Sequence, residues 1–216
     1  DAGYFEAVSF TEEDRHRAGQ YAANAEREAL REGSQSMEDF LRGLDMAVIP
    51  GPIEPVDLAR ATQLINKTNQ FNTTTRRYTT EEVSGFAAAP ANMTFQFRLL
   101  DRFGDNGLVS VMLLRSVPEE ADVFDIESWV MSCRVFGRQL EFEAMNIAAE
   151  AARNRGIRAF RADYIPTKKN GVISGLYESL GFSRLPQPTA AEGASRWTQN
   201  LAEYHTRPTF IVRRES

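Results

Sequence analysis

The sequence predicts an α/β fold, a mixed β-sheet with helices on both faces, preceded by a short helical appendage. Three observations carry this. A hairpin run comes first, with Phe95, Phe97 and Leu99 on one face of a strand over 93–100 and a return strand over 108–114. Strands then alternate with helices, a long helix over about 138–155, a strand over 158–165 and a helix over 171–180, which is the pattern of βαβ units. Residues 1–45 are charged and helical in period, so they form an appendage or linker, and 46–216 form one domain with a C-terminal tail.

Each element has a local cause. Thr11-Glu12-Glu13-Asp14 reads as a capping box with Thr11 as N-cap, and the helix it opens stops at Gly33. Ser36 caps a second helix over 37–43, with Met37, Phe40, Leu41 and Leu44 at helical spacing. Met46 to Ile49 is a short strand closed by Pro50. A helix over 55–66 turns Leu58, Ala61, Leu64 and Ile65 inward, and a turn or short helix follows it. Asp105-Asn106-Gly107 reads as the hairpin turn before Leu108. Val123, Phe124, Ile126, Trp129 and Val130 are β-formers in a strand within 121–133. Gly156 ends the long helix, Pro166 stops the strand after it, and Gly181 closes the next helix. Two strands follow near Phe182 and Trp197, and the tail after Leu201 carries no clear element.

Composition excludes several classes. The chain has 216 residues, 42% of them hydrophobic, and a formal charge of -5, with no long Lys/Arg run to hold nucleic acid. Cys133 is the single cysteine, and His16 and His205 lie far apart, so neither a disulfide nor a metal cluster is expected. No stretch approaches the about 18 apolar residues of a membrane span, and a reducing cytoplasm is the expected compartment.

The strongest local signal is the junction Met131-Ser132-Cys133-Arg134-Val135-Phe136-Gly137-Arg138-Gln139. A strand runs into a long helix through glycine, a geometry that aims backbone N–H groups at a phosphate or simply makes a turn. Cys133 stands there beside Arg134. A lone cysteine is a small buried hydrophobe by default. Here a helix N-terminus and a guanidinium both place positive charge near the sulfur, the setting of a nucleophilic thiol. Asn170 reads as an N-cap and Tyr177 as a packed aromatic when taken alone. Asn66, Asn69, Gln70 and Asn72 either line a polyol pocket through their amides or close Asx turns. Arg76-Arg77 and Lys168-Lys169 are basic pairs on an acidic chain, either solvated surface or a docking contact for an acidic partner.

R-x-x-G at 134–137, the long helix, a strand and N-x6-Y-x3-G-F over 170–182 together resemble the GNAT (acyl-CoA N-acyltransferase) family. That resemblance implies a cofactor site: Arg134, Gly137 and Arg138 face the phosphates of CoA or of a carrier's phosphopantetheine, Asn170 belongs to the same site, and Tyr177 protonates the leaving thiolate. Gln139 departs from the pattern, which wants a small residue so that a pyrophosphate can approach, and a phosphopantetheine phosphodiester demands less room. A longer resemblance covers nearly the whole chain. Residues 65–72 (INKTNQFN), 75–78 (TRRY), 101–107 (DRFGDNG), 132–138 (SCRVFGR) and 164–171 (YIPTKKNG) are similar to the C-terminal region of FkbH-like proteins.

That family couples a haloacid-dehalogenase-type phosphatase domain to a GNAT-like domain and loads a glyceryl unit from 1,3-bisphosphoglycerate onto an acyl carrier protein for polyketide biosynthesis. The resemblance therefore implies an acyl carrier protein and an upstream phosphatase domain as partners. It makes Cys133 the acyl relay and Tyr177 the second catalytic residue, and it puts Asn66, Asn69, Gln70, Asn72 and Arg76 at the substrate. The phosphatase motif D-x-D-x-[TV] is absent, so no metal is expected in this chain. Two other readings stay open, a CoA-dependent N-acetyltransferase and a non-catalytic carrier-docking module.

Overall fold

A computed structural model of the chain describes residues 12–186 and 193–215. The expected cap at Thr11 lies outside them. Two helices lead, α1 (Glu12–Gly33) and α2 (Met37–Gly43), and Ser36 caps the second by accepting from the Asp39 N–H at 3.0 Å. Then come β1 (Met46–Gly51), α3 (Leu58–Lys67), β2 (Phe71–Asn72) and α4 (Thr80–Ala88). Three long strands follow, β3 (Met93–Asp101), β4 (Gly104–Val117) and β5 (Glu120–Met131). The rest is α5 (Leu140–Asn154), β6 (Ala159–Tyr164), α6 (Leu176–Ser179), β7 (Ser183–Leu185), β8 (Ser195–Asn200) and β9 (Ile211–Arg213). Strand order across the sheet is β7-β8-β6-β5-β4-β3-β1-β9, with β2 paired to β5 beside this path. β5–β6 and β1–β9 are parallel and the other pairs antiparallel.

The alternation of β4 divides the core in two. Val111 and Leu113 join Val130 under α3 and α4, with Ala61, Ile65, Val83 and Phe86. Val109, Met112 and Leu114 face the other way, onto the α5 side with Trp129, Leu140, Ala144 and Ala148. Phe95, Phe97 and Leu99 share this second face, as the alternation predicts. Leu41 and Leu44 of α2 are buried in the same core.

Several sequence expectations shift. β1 runs through Pro50, because β9 accompanies β1 only as far as Val48 and leaves Pro50 a neighbour on one side, where proline is tolerated. α4 is a full helix held by a capping box: Glu82 N–H donates to Thr79 Oγ1 at 3.2 Å, and Thr79 N–H donates to the Glu82 carboxylate at 2.7 Å. The segment 171–180 is a 3-10 turn (Gly171–Ile173) and the short α6, not one helix. The tail contains β9, whose three residues gave too short a run to read.

The β3–β4 hairpin turns early, at Arg102-Phe103; Asp105 pairs with Leu100 inside β4, and Asn106-Gly107 form an irregularity opposite Leu99. The cause is Asp101. Its carboxylate accepts from Phe103 N–H at 3.0 Å and Asn106 Nδ2 at 3.1 Å, closing the turn ahead of the expected one. The same carboxylate, with its side chain fully buried, takes Arg27 Nε at 2.8 Å, Arg27 Nη2 at 2.9 Å and Arg138 Nη1 at 3.0 Å. One anion thereby joins α1, the hairpin tip and the turn ahead of α5.

Burial pushes the Asp101 carboxyl up, but the Arg27 guanidinium and the other donors outweigh it and hold the group below its usual range. Asp101→Ala strands two buried guanidiniums and lowers stability by about 3–5 kcal/mol, read as a shift in the urea midpoint. Because the folded state holds this carboxyl below its unfolded value, its contribution is complete above about pH 4 and fades as pH falls through the folded value. Loss of the α1 contact is expected first in acid, followed by limited proteolysis within 12–33.

Candidate functional site

The parallel strands β5 and β6 pair only from Val123 to Ile126, against Ala159 to Ala162, and then part. The chain's own segment 71–74 enters the opening. Phe71 and Asn72 pair with Met131 and Val130, and Thr73 N–H donates to the Trp129 carbonyl at 3.3 Å. Thr74 Oγ1 donates to the Glu127 carbonyl at 3.1 Å. From the other side Ile165 N–H donates to the Thr73 carbonyl at 2.8 Å. Asn170, wholly buried, completes the seal. Its Nδ2 donates to the carbonyls of Asn72 at 3.0 Å and Ile165 at 2.9 Å, while Oδ1 accepts from Thr167 N–H at 2.7 Å.

The junction after β5 is a 3-10 turn (Cys133–Val135) capped by Ser132, then Phe136, Gly137 and Arg138, with α5 beginning at Leu140, two residues later than expected. Gly137 has φ +71 and Gln139 has φ +65. A non-glycine residue in the left-handed region costs about 1 kcal/mol, which gives a backbone reason for the small residue that the GNAT-like pattern wants at this position. Gln139 is held there partly by the tail, since Phe210 N–H donates to its Oε1 at 3.4 Å. The amides of Val135, Phe136 and Arg138 are bonded to carbonyls within the turn, and that of Arg134 to Ser132 Oγ.

Cys133 and Arg134 are exposed at this corner. Arg134 bonds only Ser132 Oγ, at 3.4 Å, and has no carboxylate partner among the described residues. Burial and, after it, the Arg60 guanidinium push Arg134 below its ordinary value.

Solved structures place the architecture. The ribosomal-protein-S18-alanine N-acetyltransferase of Escherichia coli superposes with a TM-score of 0.53 at 15% identity, over 71% of this chain and 94% of that one. The GNAT domain of S. lividans PAT gives 0.54 at 16%, over 70% and 89%. The spermidine N-acetyltransferase of Vibrio cholerae, solved with CoA and spermine, gives 0.54 at 14%, over 73% and 97%. The fold is that of the GNAT acetyltransferases. At such identities the likeness shows the fold alone. No family model and no curated protein matches the sequence.

Against the GNAT expectation, the sequence-predicted residues separate into several places. Gly137 lines an apolar cavity of about 230 Å3 with Phe71, Met131, Phe136, Ile173 and Leu176. Glu141 lines the same cavity, and burial pushes its carboxyl up. A carboxyl group there opposes a phosphate, so this cavity suits the apolar part of a thiol arm better than a pyrophosphate. Arg138 does not face it, being committed to buried Asp101. Asn170 is spent on the seal of the splay rather than open to a cofactor.

Tyr177 is 2% exposed and packs on Phe182 and Trp197 at ring distances of 5.1 and 6.3 Å. Its hydroxyl and the neighbouring Thr73 Oγ1 are both buried without a well-formed hydrogen bond, and burial pushes the phenol well above its ordinary range. No described cavity joins Tyr177 to Cys133.

The amide-rich motif is largely closed on itself. Asn66 clasps the Tyr78 backbone, donating to its carbonyl at 2.6 Å and accepting from its N–H at 3.0 Å. Asn69 Oδ1 accepts from Arg77, which also caps the carbonyls of Ile65 and Thr68 at the end of α3. Buried Asn72 accepts from Thr75 N–H at 2.8 Å, an Asx-type closure. Gln70 is exposed. Arg76 pairs with Glu127 between two polar cavities of about 310 and 510 Å3.

Sequence reasoning missed Glu127, Arg27 and Glu141. The signal for Glu127 was a lone acid between Ile126 and Trp129 on a central strand. It accepts from Arg115 Nε and Nη2, each at 3.1 Å, from Tyr78 Oη at 3.3 Å, and from Arg76. Burial raises Glu127, but Arg115 and then Arg76 outweigh it and hold it below the usual carboxylate range. Burial and then Glu127 push the Tyr78 phenol up to about 12. Among the described residues no cluster of His, Cys, Asp or Glu could hold a metal ion, and no helix is long and apolar enough to cross a membrane.

Two substitutions separate structural from other roles in the splay. Tyr177→Phe removes an unpaired buried hydroxyl and leaves stability unchanged or raised by up to about 1 kcal/mol. Asn170→Ala removes several satisfied bonds and strands the Asn72 and Ile165 carbonyls, lowering stability by about 3 kcal/mol in thermal unfolding.

Proposed function

We propose that the chain is the acyltransferase-like part of an FkbH-type protein, which moves a glyceryl unit onto the phosphopantetheine thiol of an acyl carrier protein. The observation that carries this is the open corner at Cys133. The only thiol of the chain stands at the surface beside an arginine with no carboxylate partner among the described residues, while the splay that would shelter a buried donor is filled by 71–74. A surface thiol is reachable by the long, flexible arm of a carrier, and the sequence motifs at 65–78, 101–107, 132–138 and 164–171 supply the family reading.

The chemistry balances in two steps. Cys133 Sγ attacks the carbonyl of a glyceryl mixed anhydride with phosphate. The C–O bond to phosphate breaks, phosphate leaves with the bond electrons, and the thiol proton goes to solvent. The carrier thiol then loses its proton to solvent and attacks the thioester carbonyl, the new C–S bond forms, and the Cys133 Sγ–acyl bond breaks with Cys133 leaving as thiolate. Arg134 stands where the departing phosphate charge is stabilised. Lys168 and Lys169, both exposed, are the basic pair left to meet an acidic carrier, since Arg76 and Arg77 are committed to Glu127 and the end of α3. The glyceryl mixed anhydride comes from an upstream phosphatase-type domain in this reading, and no metal step falls to this chain.

A CoA-dependent N-acetyltransferase is the second reading, favoured by the fold. It needs a base for an amine, and Glu127, the carboxylate of β5 nearest the splay, is held too acidic by Arg115 and Arg76 to serve well.

Mass spectrometry of the full-length protein after loading is expected to show a glyceryl or phosphoglyceryl thioester on Cys133. Cys133→Ala should abolish the adduct and carrier loading with the fold intact. Undiminished transfer by Cys133→Ala removes the covalent route, and tight acetyl-CoA binding with no carrier interaction supports the N-acetyltransferase.

A further inference from the structure

A cleft of about 360 Å3 opens between α1, the β3–β4 tip and the Cys133 corner. Its lining includes Asn24, Arg27, Phe103, Asn106 and Arg134. Among the described residues the carboxylates at it are Asp101, saturated by Arg27, Arg138, Asn106 and Phe103 N–H, and Asp105, bonded among others to Arg98 and to Gly107 N–H. Arg27, Arg98, Arg134 and Arg138 therefore face two carboxylates, an excess of two positive charges among the described residues, on a chain whose formal charge is -5. Arg60 adds to the same field.

Burial matters as much as the count. The side chains of Arg27 and Arg138 are each 9% exposed, so their charge acts through protein rather than water. Arg134 provides the exposed arm, and no carboxylate among the described residues takes it. Asn24 and Asn106 sit beside it, each bonded within the cleft wall to the charged pair, Asn24 Oδ1 accepting from Arg27 Nη1 at 2.9 Å and Asn106 Nδ2 donating to Asp101 at 3.1 Å. The exposed guanidinium of Arg134 and the buried one of Arg27, which keeps Asp101 and Asn24 as partners, converge on the cavity and match the oxygens of a phosphate group.

We infer that this cleft binds the phosphate group of a small organic phosphate, held by Arg134 from the turn and Arg27 from α1. This places a phosphate site on the α1 side of the Cys133 corner, apart from the turn amides and the apolar cavity beside Gly137. α1 supplies one wall of the cleft and the Arg27 guanidinium, so its tie to the hairpin tip through Asp101 also builds the site. Two sources carry such a group, a phosphorylated hydroxy acid with a phosphomonoester and the carrier's phosphopantetheine with a phosphodiester.

Calorimetric titration of the chain with inorganic phosphate, 3-phosphoglycerate and a phosphodiester of pantetheine tests the inference. Saturable binding is expected, weakening as salt rises. Arg134→Ala, at an exposed position, should weaken it by about tenfold or more. Asn24→Asp keeps the acceptor for Arg27 while adding a negative charge to the wall, and should weaken it similarly. Preference for 3-phosphoglycerate assigns the cleft to a small phosphorylated acid, and preference for the diester assigns it to the carrier arm. Either preference supports the site. Absence of saturable binding by all three probes overturns it, as does binding that both variants leave unchanged. The readout needs no acyl group, so a failure of the covalent relay at Cys133 leaves this result standing, and the reverse holds.

Discussion

The parting of β5 from β6 is the constraint on which the rest depends. A parallel pair that separates after four residues exposes a row of backbone donors and acceptors inside the core, and those groups must be satisfied. The chain satisfies them with its own segment 71–74, and Asn170 with the 165–170 loop locks the far side. The amide-rich motif before Tyr78 follows from the same need. Its asparagines hold the loop that delivers this segment, clasping Tyr78, receiving Arg77 and closing on Thr75. What reads as a polyol-binding set is, in the folded chain, mainly the frame of an inserted strand.

Filling the splay moves the chemistry outward. The orphaned hydroxyls of Tyr177 and Thr73 remain inside it, while the thiol is at the surface. Charge follows the same division. Acids and arginines on the outer face of β5, β6 and β8 neutralise one another in pairs, Arg161 with Asp125 and Arg196 with Asp163. At the Cys133 corner the arginines outnumber the carboxylates. Among the described residues, two guanidiniums there share one carboxylate and a third has none, which concentrates affinity for anions at that corner.

Much of the fold was legible because it rests on period. The alternation of Phe95, Phe97 and Leu99, the helical spacing in α3 and α5, and the Ser36 cap each encode a structure within a few residues. Where the reading slipped, a hydrogen-bonding partner outside the periodic pattern had decided. Asp101 closed the hairpin early because its carboxylate reached Phe103 and Asn106. The tail formed β9 because β1 offered an open edge, which a three-residue run cannot announce. No local pattern announces that Arg138 turns from a phosphate to a carboxylate, since its partner Asp101 lies 37 residues away in sequence.

By itself the sequence determined the mixed sheet with helices on both faces, the turn between β5 and α5, and the presence of one thiol beside Arg134, because those depend on neighbours along the chain. Tertiary structure alone decided that the thiol is open, that the splay is filled, that Tyr177 is sealed and that Arg27 joins Arg134 at one cleft. Burial and charge balance are sums over residues brought together from distant segments. No local pattern carries such a sum, so the chemistry of the corner emerges only when α1, the hairpin tip and the turn meet at Asp101.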